Sequence, residues 1–140
     1  MNAQIVNIAR SYLGTPYRHQ GRLPGVALDC IGVPICVAWA IGYLPLSFNV
    51  TGYRRVPDGH SLIRHLEDRM DPVAQADMQP GDVVCVAFDL FPHHVGIVGD
   101  YPRGGLSIIH AAGRTGKVVE QRLCFTPDLQ FAGAFRFWAR

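Results

Sequence analysis

The run Ile31–Leu46, IGVPICVAWAIGYLPL, contains no charged residue. A segment like this must leave water, either for lipid or for the interior of a protein. A membrane span needs about 20 apolar residues. This run is shorter and holds Pro34, Gly42 and Pro45, so it reads as a buried core helix with no membrane insertion. The rest of the chain then has to supply the surfaces that cover it. At 140 residues the chain is long enough for one domain, residues 1–140, with a modest core. It is 49% hydrophobic and 17% charged, which excludes a disordered chain. The formal net charge is +2 and Lys and Arg do not cluster, the densest spot being YRRVP. That balance points to no nucleic acid and no lipid surface as a partner. The opening MNAQIVNIARSYLG lacks a basic start and a continuous apolar segment. It predicts a protein without a signal peptide, cytoplasmic when synthesised.

The covering surfaces fall into two halves. In AQIVNIARSYLG, the spacing of Ile5, Ile8, Ala9, Tyr12 and Leu13 predicts a helix that stops at Gly14. TPYRHQGRLPG follows as a loop. A second helix is expected from Asp29 to about Gly42, capped by the Asp29 carboxylate, with Pro34 near its first turn. HSLIRHLEDRM predicts a third helix with Leu62, Ile63, Leu66 and Met70 on one face. The second half reads as strands: GDVVCVAF, HHVGIVGD, LSIIHAA, KVVEQRL and FAGAFRF, separated by the turn signals QPGD, YPRGG and AGRTG. Short connections predict an antiparallel meander. The fold class expected is α+β, with N-terminal helices packed on one side of a C-terminal antiparallel β-sheet.

Four cysteines, Cys30, Cys36, Cys85 and Cys124, form no CxxC pair, and a disulfide framework is not expected. Cys36, Cys85 and Cys124 lie in apolar or alternating stretches and read as packed thiols. Cys30 has two readings. It is a small core side chain, or it is a nucleophile in the first turn of a helix, where aligned peptide dipoles ease loss of the thiol proton. The second reading needs a base. Among the six histidines, His60 and His65 sit on the polar third helix, and His19 lies in a loop near Cys30. His93 and His94 open one strand and His110 closes the next. Two such histidines can meet across a sheet, one fixing the ring of the other. Alternation puts His93 and His94 on opposite faces, so only one of them can face Cys30. A zinc set of Cys30, His94 and His110 lacks the short spacing of a metal motif. No metal and no cofactor are expected.

These segments together resemble the NlpC-type cell-wall peptidases, a papain-like family of small cysteine endopeptidases. GTPYRHQG is similar to the family's Gly-x-x-Tyr-x-x-Gly loop, and DCIG to its Asp-Cys-Ser-Gly at the nucleophile. QPGDVVCVAF resembles the Pro-Gly-Asp segment that starts the sheet. HHVGIVGD resembles the strand that carries the base, and IIHAA the strand end that carries the orienting residue. The pieces occur in the family's order between Ile5 and Ala112.

The resemblance implies a papain-like fold, with Cys30 as nucleophile, His94 as general base and His110 as third member of a Cys-His-His triad. It favours His94 over His93 because His94 directly precedes VGI. It implies that Tyr17 assists the oxyanion or substrate backbone. Asp29 would both cap the helix and hold the substrate's free amino end, and Asp82 would be structural. The implied activity is cleavage of a peptidoglycan stem peptide at the bond after D-glutamate, through an acyl-enzyme. Ile31 departs from the family serine, which bears on substrate preference. A compact form of this kind resembles the branch found in phage and prophage tails, with tail proteins as partners. The alternatives are a non-catalytic tail component of the same fold, or the same triad used for another acyl transfer.

Overall fold

The structure, a computed structural model, describes residues 2–51, 53, 60–88 and 91–138. Helix α1 covers Asn2–Ser11 and buries Ile5, Val6 and Ala9. Of the expected face, Ile5, Ala9 and Tyr12 are buried and Ile8 packs on the core; Leu13, beyond the end of the helix, is 43% exposed, and Val6 joins the buried set. A small hairpin follows, β1 (Arg22–Leu23) and β2 (Ala27–Leu28). Its strands of two residues are too short for periodicity to announce them.

The charge-free run forms α2, Gly32–Ala40, and seven of its residues, Gly32 through Ala38, are buried. The regular helix starts later than Asp29 for a simple reason. Pro34 has no N–H to return to the Cys30 carbonyl, so the bond from Val33 to Asp29 stands alone and the unbroken series starts with Ile35 N–H to the Ile31 carbonyl. Asp29 nonetheless closes the end of the helix: its carbonyl accepts from Val33 N–H, and its Oδ1 accepts from Gly32 N–H at 2.8 Å. The other end closes on Gly42, at φ +73°. Gly42 N–H bonds to the Trp39 carbonyl and Tyr43 N–H to that of Ala38, a paired closure that needs a residue free to take the left-handed region. Helix α3 is His60–Arg69. Ile63 and Leu66 pack on the core and Met70 is buried beneath the end of the helix. The side chains of His60, Leu62 and His93 lie outside the described part.

A six-stranded antiparallel sheet fills the second half. Its strands are β3 (Asp71–Val73), β4 (Val83–Phe88), β5 (Phe91–Asp100), β6 (Leu106–Ala112), β7 (Lys117–Arg122) and β8 (Gln130–Arg136), in the order β3-β8-β4-β5-β6-β7. The α+β expectation is met. The meander holds from β4 to β7, but β8 does not continue it. Instead β8 returns to the open side of β4 and is followed outward by β3. Alternation specifies a face for each strand, not a neighbour, so this return is invisible locally. The edges are blunted by Pro72 in β3 and by the charged residues Lys117, Glu120 and Arg122 of β7.

Both faces of the sheet are covered. Val83, Cys85, Val95, Ile97, Ile109 and Ala111 meet the helices in the main core. Val84, Val86, Val98 and Ile108 form a second cluster with Phe125, Leu129 and Phe131. This double burial explains why β4 reads as a continuous apolar run rather than an alternation. Two irregularities shape the sheet. Opposite β8, the pairing jumps from Cys85↔Gly133 to Val86↔Phe131, so Phe131 and Phe135 serve opposite cores despite their even spacing. Opposite β5, it jumps from Val86↔His94 to Ala87↔Pro92, which places a bulge at position 93.

Two carboxylates, Asp82 buried and Glu120 half-buried, tie the layers together. Asp82 accepts from Gln79 N–H across the QPGD turn and takes a two-point pair from Arg136, at 2.8 and 2.9 Å. It has the structural role expected of it. Arg10 of α1 makes a two-point pair with Glu120 of β7, at 3.0 and 2.9 Å. Among the described residues, no helix is long and apolar enough to cross a membrane.

Candidate active site

The end of the loop and the start of α2 are built around the Asp29 carboxylate, which is 1% exposed. Oδ1 accepts from Gly32 N–H and from Arg22 NH1, at 2.8 and 2.9 Å. Oδ2 accepts from Gln20 N–H at 2.7 Å and from the Tyr53 hydroxyl. Gln20 is held at φ +60° to make its bond, the one non-glycine residue with positive φ among the described residues. Arg22 in turn reaches Asn49, the Gly21 and Val50 carbonyls and the Tyr53 hydroxyl. Burial, followed by the hydrogen bond to Asp29, pushes the Tyr53 hydroxyl well above its ordinary pKa. The glycine of DCIG is required by a close approach: a Cβ at Gly32 would lie 2.4 Å from the Gly21 carbonyl oxygen. Asp29 therefore caps the helix as expected. Its two oxygens are already engaged within the chain, and this leaves the expected grip on a substrate amine without an open oxygen.

Cys30 follows directly and is 9% exposed. The backbone N–H groups of Ile31 and Val95 favour the anionic form of its sulfur. Val95 is the residue after His94, so the start of α2 meets β5 at the point where the histidine strand begins. The expected easy ionisation is not what the environment provides. Burial, with a smaller push from the Asp29 charge, raises the Cys30 thiol to about 12, and the two N–H groups only partly oppose this. The dipole argument from sequence considered the helix alone. The sheet packed on the sulfur, Cys85 included, removes the water that a thiolate would need.

On the sheet, His94 of β5 and His110 of β6 are both buried, and His94 Nε2 lies 2.6 Å from His110 Nδ1. Their rings meet edge to face at 78°. His110 Nε2 lies 2.6 Å from Gln121 Oε1 on β7. Burial holds the His110 pKa below its ordinary value, against a smaller opposing effect of Gln121, so its ring is neutral at neutral pH. The bulge at position 93 sits immediately before His94, and a bulge re-aims the residue beside it.

The other candidates are placed elsewhere. His19 bonds the Tyr53 carbonyl at 3.0 Å and stands edge-on to the Tyr53 ring, as part of the Asp29 surroundings. His65 lies on α3, lining an apolar pocket together with Ile31, Ile35 and Phe48. Ile31, the departure from the family serine, is turned into the core and is 6% exposed. Tyr17 is half-buried: its N–H bonds the Gly116 carbonyl, and its ring lies 3.9 Å from where a Cβ of Gly113 would stand, just past the strand of His110. Among the described residues, no three His, Cys, Asp or Glu side chains gather as metal ligands would. Arg22, Gln20, Tyr53 and Gln121 were not anticipated. Only Gln121 had a findable signal, since in antiparallel pairing it lies on the face of His110, two places beyond Val119.

No protein-family model matches the chain, and no curated protein matches it. Solved structures do resemble it. The NlpC/p60 domain of the peptidoglycan hydrolase SagA is 23% identical with a TM-score of 0.67, over 98% of this chain and 99% of that one. An NlpC/P60 family protein from Bacillus cereus ATCC 10987 is 22% identical with a TM-score of 0.69, over 98% of this chain and 40% of that one. An N-acetylmuramoyl-L-alanine amidase from Bacteroides uniformis ATCC 8492 is 11% identical with a TM-score of 0.63, over 99% of both chains. The chain spans less than half the length of several such structures. Helices, hairpin and six-stranded sheet together are the papain-like α+β architecture of the NlpC/p60 domains.

Proposed function

We propose that the chain is a cysteine peptidase acting on peptidoglycan stem peptides, with Cys30 as nucleophile, His94 as base and His110 as its orienting partner. The observation that carries this reading is the meeting of two strands and a helix end. His94 and His110 are in contact at 2.6 Å, and the next N–H along β5, that of Val95, favours the anionic form of the Cys30 sulfur. The solved NlpC/p60 hydrolase and amidase structures support it through the fold.

The free protein holds a neutral thiol, so the sulfur and the ring act together. As the substrate carbonyl arrives, the Sγ proton passes to His94 Nδ1, the ring nitrogen not bound to His110, and sulfur bonds to the carbonyl carbon. The N–H groups of Ile31 and Val95 stabilise the charge that forms on sulfur. The C–N bond then breaks, and the departing amine takes the proton from His94. Water, deprotonated by the same ring, cleaves the thioester, and the proton returns to Cys30. Tyr17, beside the end of β6, serves the substrate backbone or the oxyanion. Asp29 acts by fixing the loop and helix start. The scissile bond in this reading is the one following D-glutamate.

Mass analysis of products from defined stem peptides tests the proposal. The expected result is one new amine and one new carboxylate at that bond, both lost in Cys30→Ala. Cleavage that survives in Cys30→Ala would overturn it. The burial of Cys30 and its raised pKa favour a second reading, a non-catalytic component of a phage tail with the same fold. Failure to cleave any stem peptide, with copurification of tail proteins, would support that reading instead.

A further inference from the structure

We propose that Gln121 is a positioning residue whose amide oxygen selects the tautomers of both buried histidines and so leaves the basic lone pair of His94 on Nδ1. This rests on the assignment of His94 as base and extends it to a residue outside the triad.

The argument follows the hydrogen atoms along β5, β6 and β7. An amide oxygen can only accept. The atom 2.6 Å from His110 Nε2 is Gln121 Oε1, so that ring nitrogen carries a hydrogen. A neutral His110 then has a bare Nδ1, which accepts. Its partner at 2.6 Å is His94 Nε2, which therefore carries the hydrogen between the two rings. A neutral imidazole has one hydrogen, so the lone pair of His94 falls on Nδ1, the nitrogen required to take a proton from the thiol. If Gln121 presented its NH₂ instead, every step would reverse, and His94 would hold a hydrogen where a base is needed. The register makes the contact possible: His110 pairs with Val119 and Ile108 with Gln121, so Gln121 reaches His110 diagonally on one face of the sheet. Gln121 stands on the edge strand at the solvent side while the two rings are buried. The polarity of a surface amide is thus transmitted inward through two hydrogen bonds.

Two-bond ¹H–¹⁵N spectra of the full chain, ¹⁵N-labelled at histidine and recorded at mildly alkaline pH, read the tautomers directly and need no substrate. The expected wild-type spectrum shows His94 and His110 each as the Nε2–H form. Gln121→Glu keeps an oxygen acceptor and should keep both forms. Gln121→Leu removes the acceptor and should admit the Nδ1–H form of both rings, with kcat falling roughly fivefold to tenfold and KM unchanged, the bias that one hydrogen bond supplies. Gln121→Lys offers only donors and should invert both tautomers. An Nδ1–H form for His110 in the wild type, or identical spectra for wild type, Leu and Lys variants, would overturn the inference. Loss of the hydrolase reading is scored separately, by stem-peptide cleavage in Cys30→Ala, and leaves the spectra intact.

Discussion

Around Asp29 a buried carboxylate faces a buried guanidinium, and donors from four residues converge on two oxygens. Around His94 a row of three side chains is joined end to end, with His110 neutral at its centre. The first region fixes a backbone. It holds Gln20 in a rare conformation, pins the loop through Arg22 and sets the first turn of α2. The second region moves no backbone, since β5 and β6 are placed by their own ladder and by core residues such as Ile97 and Ile109. The same site therefore separates rigidity from reactivity. One side carries energy of position, and the other decides where a hydrogen sits.

That contrast is broken most forcefully by comparing single substitutions on the two sides. His94→Ala should lower stem-peptide hydrolysis by about a hundredfold to ten-thousandfold, the usual worth of a general base, with little change in the urea midpoint. Asp29→Ala should cost about 3–5 kcal/mol of stability, because it strands a buried Arg22. Arg22→Ala combined with Asp29→Ala should cost less than the sum of the two, a coupling that a double-mutant cycle measures. Equal stability losses at positions 29 and 94 would erase the distinction.

A smaller effect sharpens the contrast through pH. Burial depresses the folded His110 pKa below its ordinary value of 6.5. As pH falls past that value, the unfolded chain takes up a proton that the folded chain refuses, so stability present above it is lost on acidification. Urea midpoints should decline as pH is lowered through this range, and His110→Asn should flatten the decline. A wild-type midpoint independent of pH there would contradict the neutral buried ring.

What the sequence made legible was local. The Asp-Cys-x-Gly stretch could be read as a capped helix start because the cap, the thiol and the close glycine lie within four positions. The strand segments were legible because each carries its own pattern. The return of β8 to β4 was not, because pairing partners are chosen by long-range packing. Nor was the raised pKa of Cys30, which comes first from burial beneath the sheet. Arg22 and Tyr53 escaped for the same reason, as their shared role exists only once the loop folds over Asp29.

The smallest expected effect concerns the thiols. With a short alkylating reagent at neutral pH, exposed Cys124 should be modified before Cys30, and the Cys30 rate should climb as pH rises. Peptide mapping by mass gives both rates. Faster modification of Cys30 than of Cys124 would show a thiolate at rest.

Keeping that sulfur protonated and out of solvent also bears on its oxidation. Peroxide attacks the anionic form and needs access, and the first product, a sulfenic acid, is the start of irreversible loss. A thiol raised to about 12 and 9% exposed presents neither the charge nor the opening. The burial that raises the Cys30 pKa thus also shields its sulfur from oxidation.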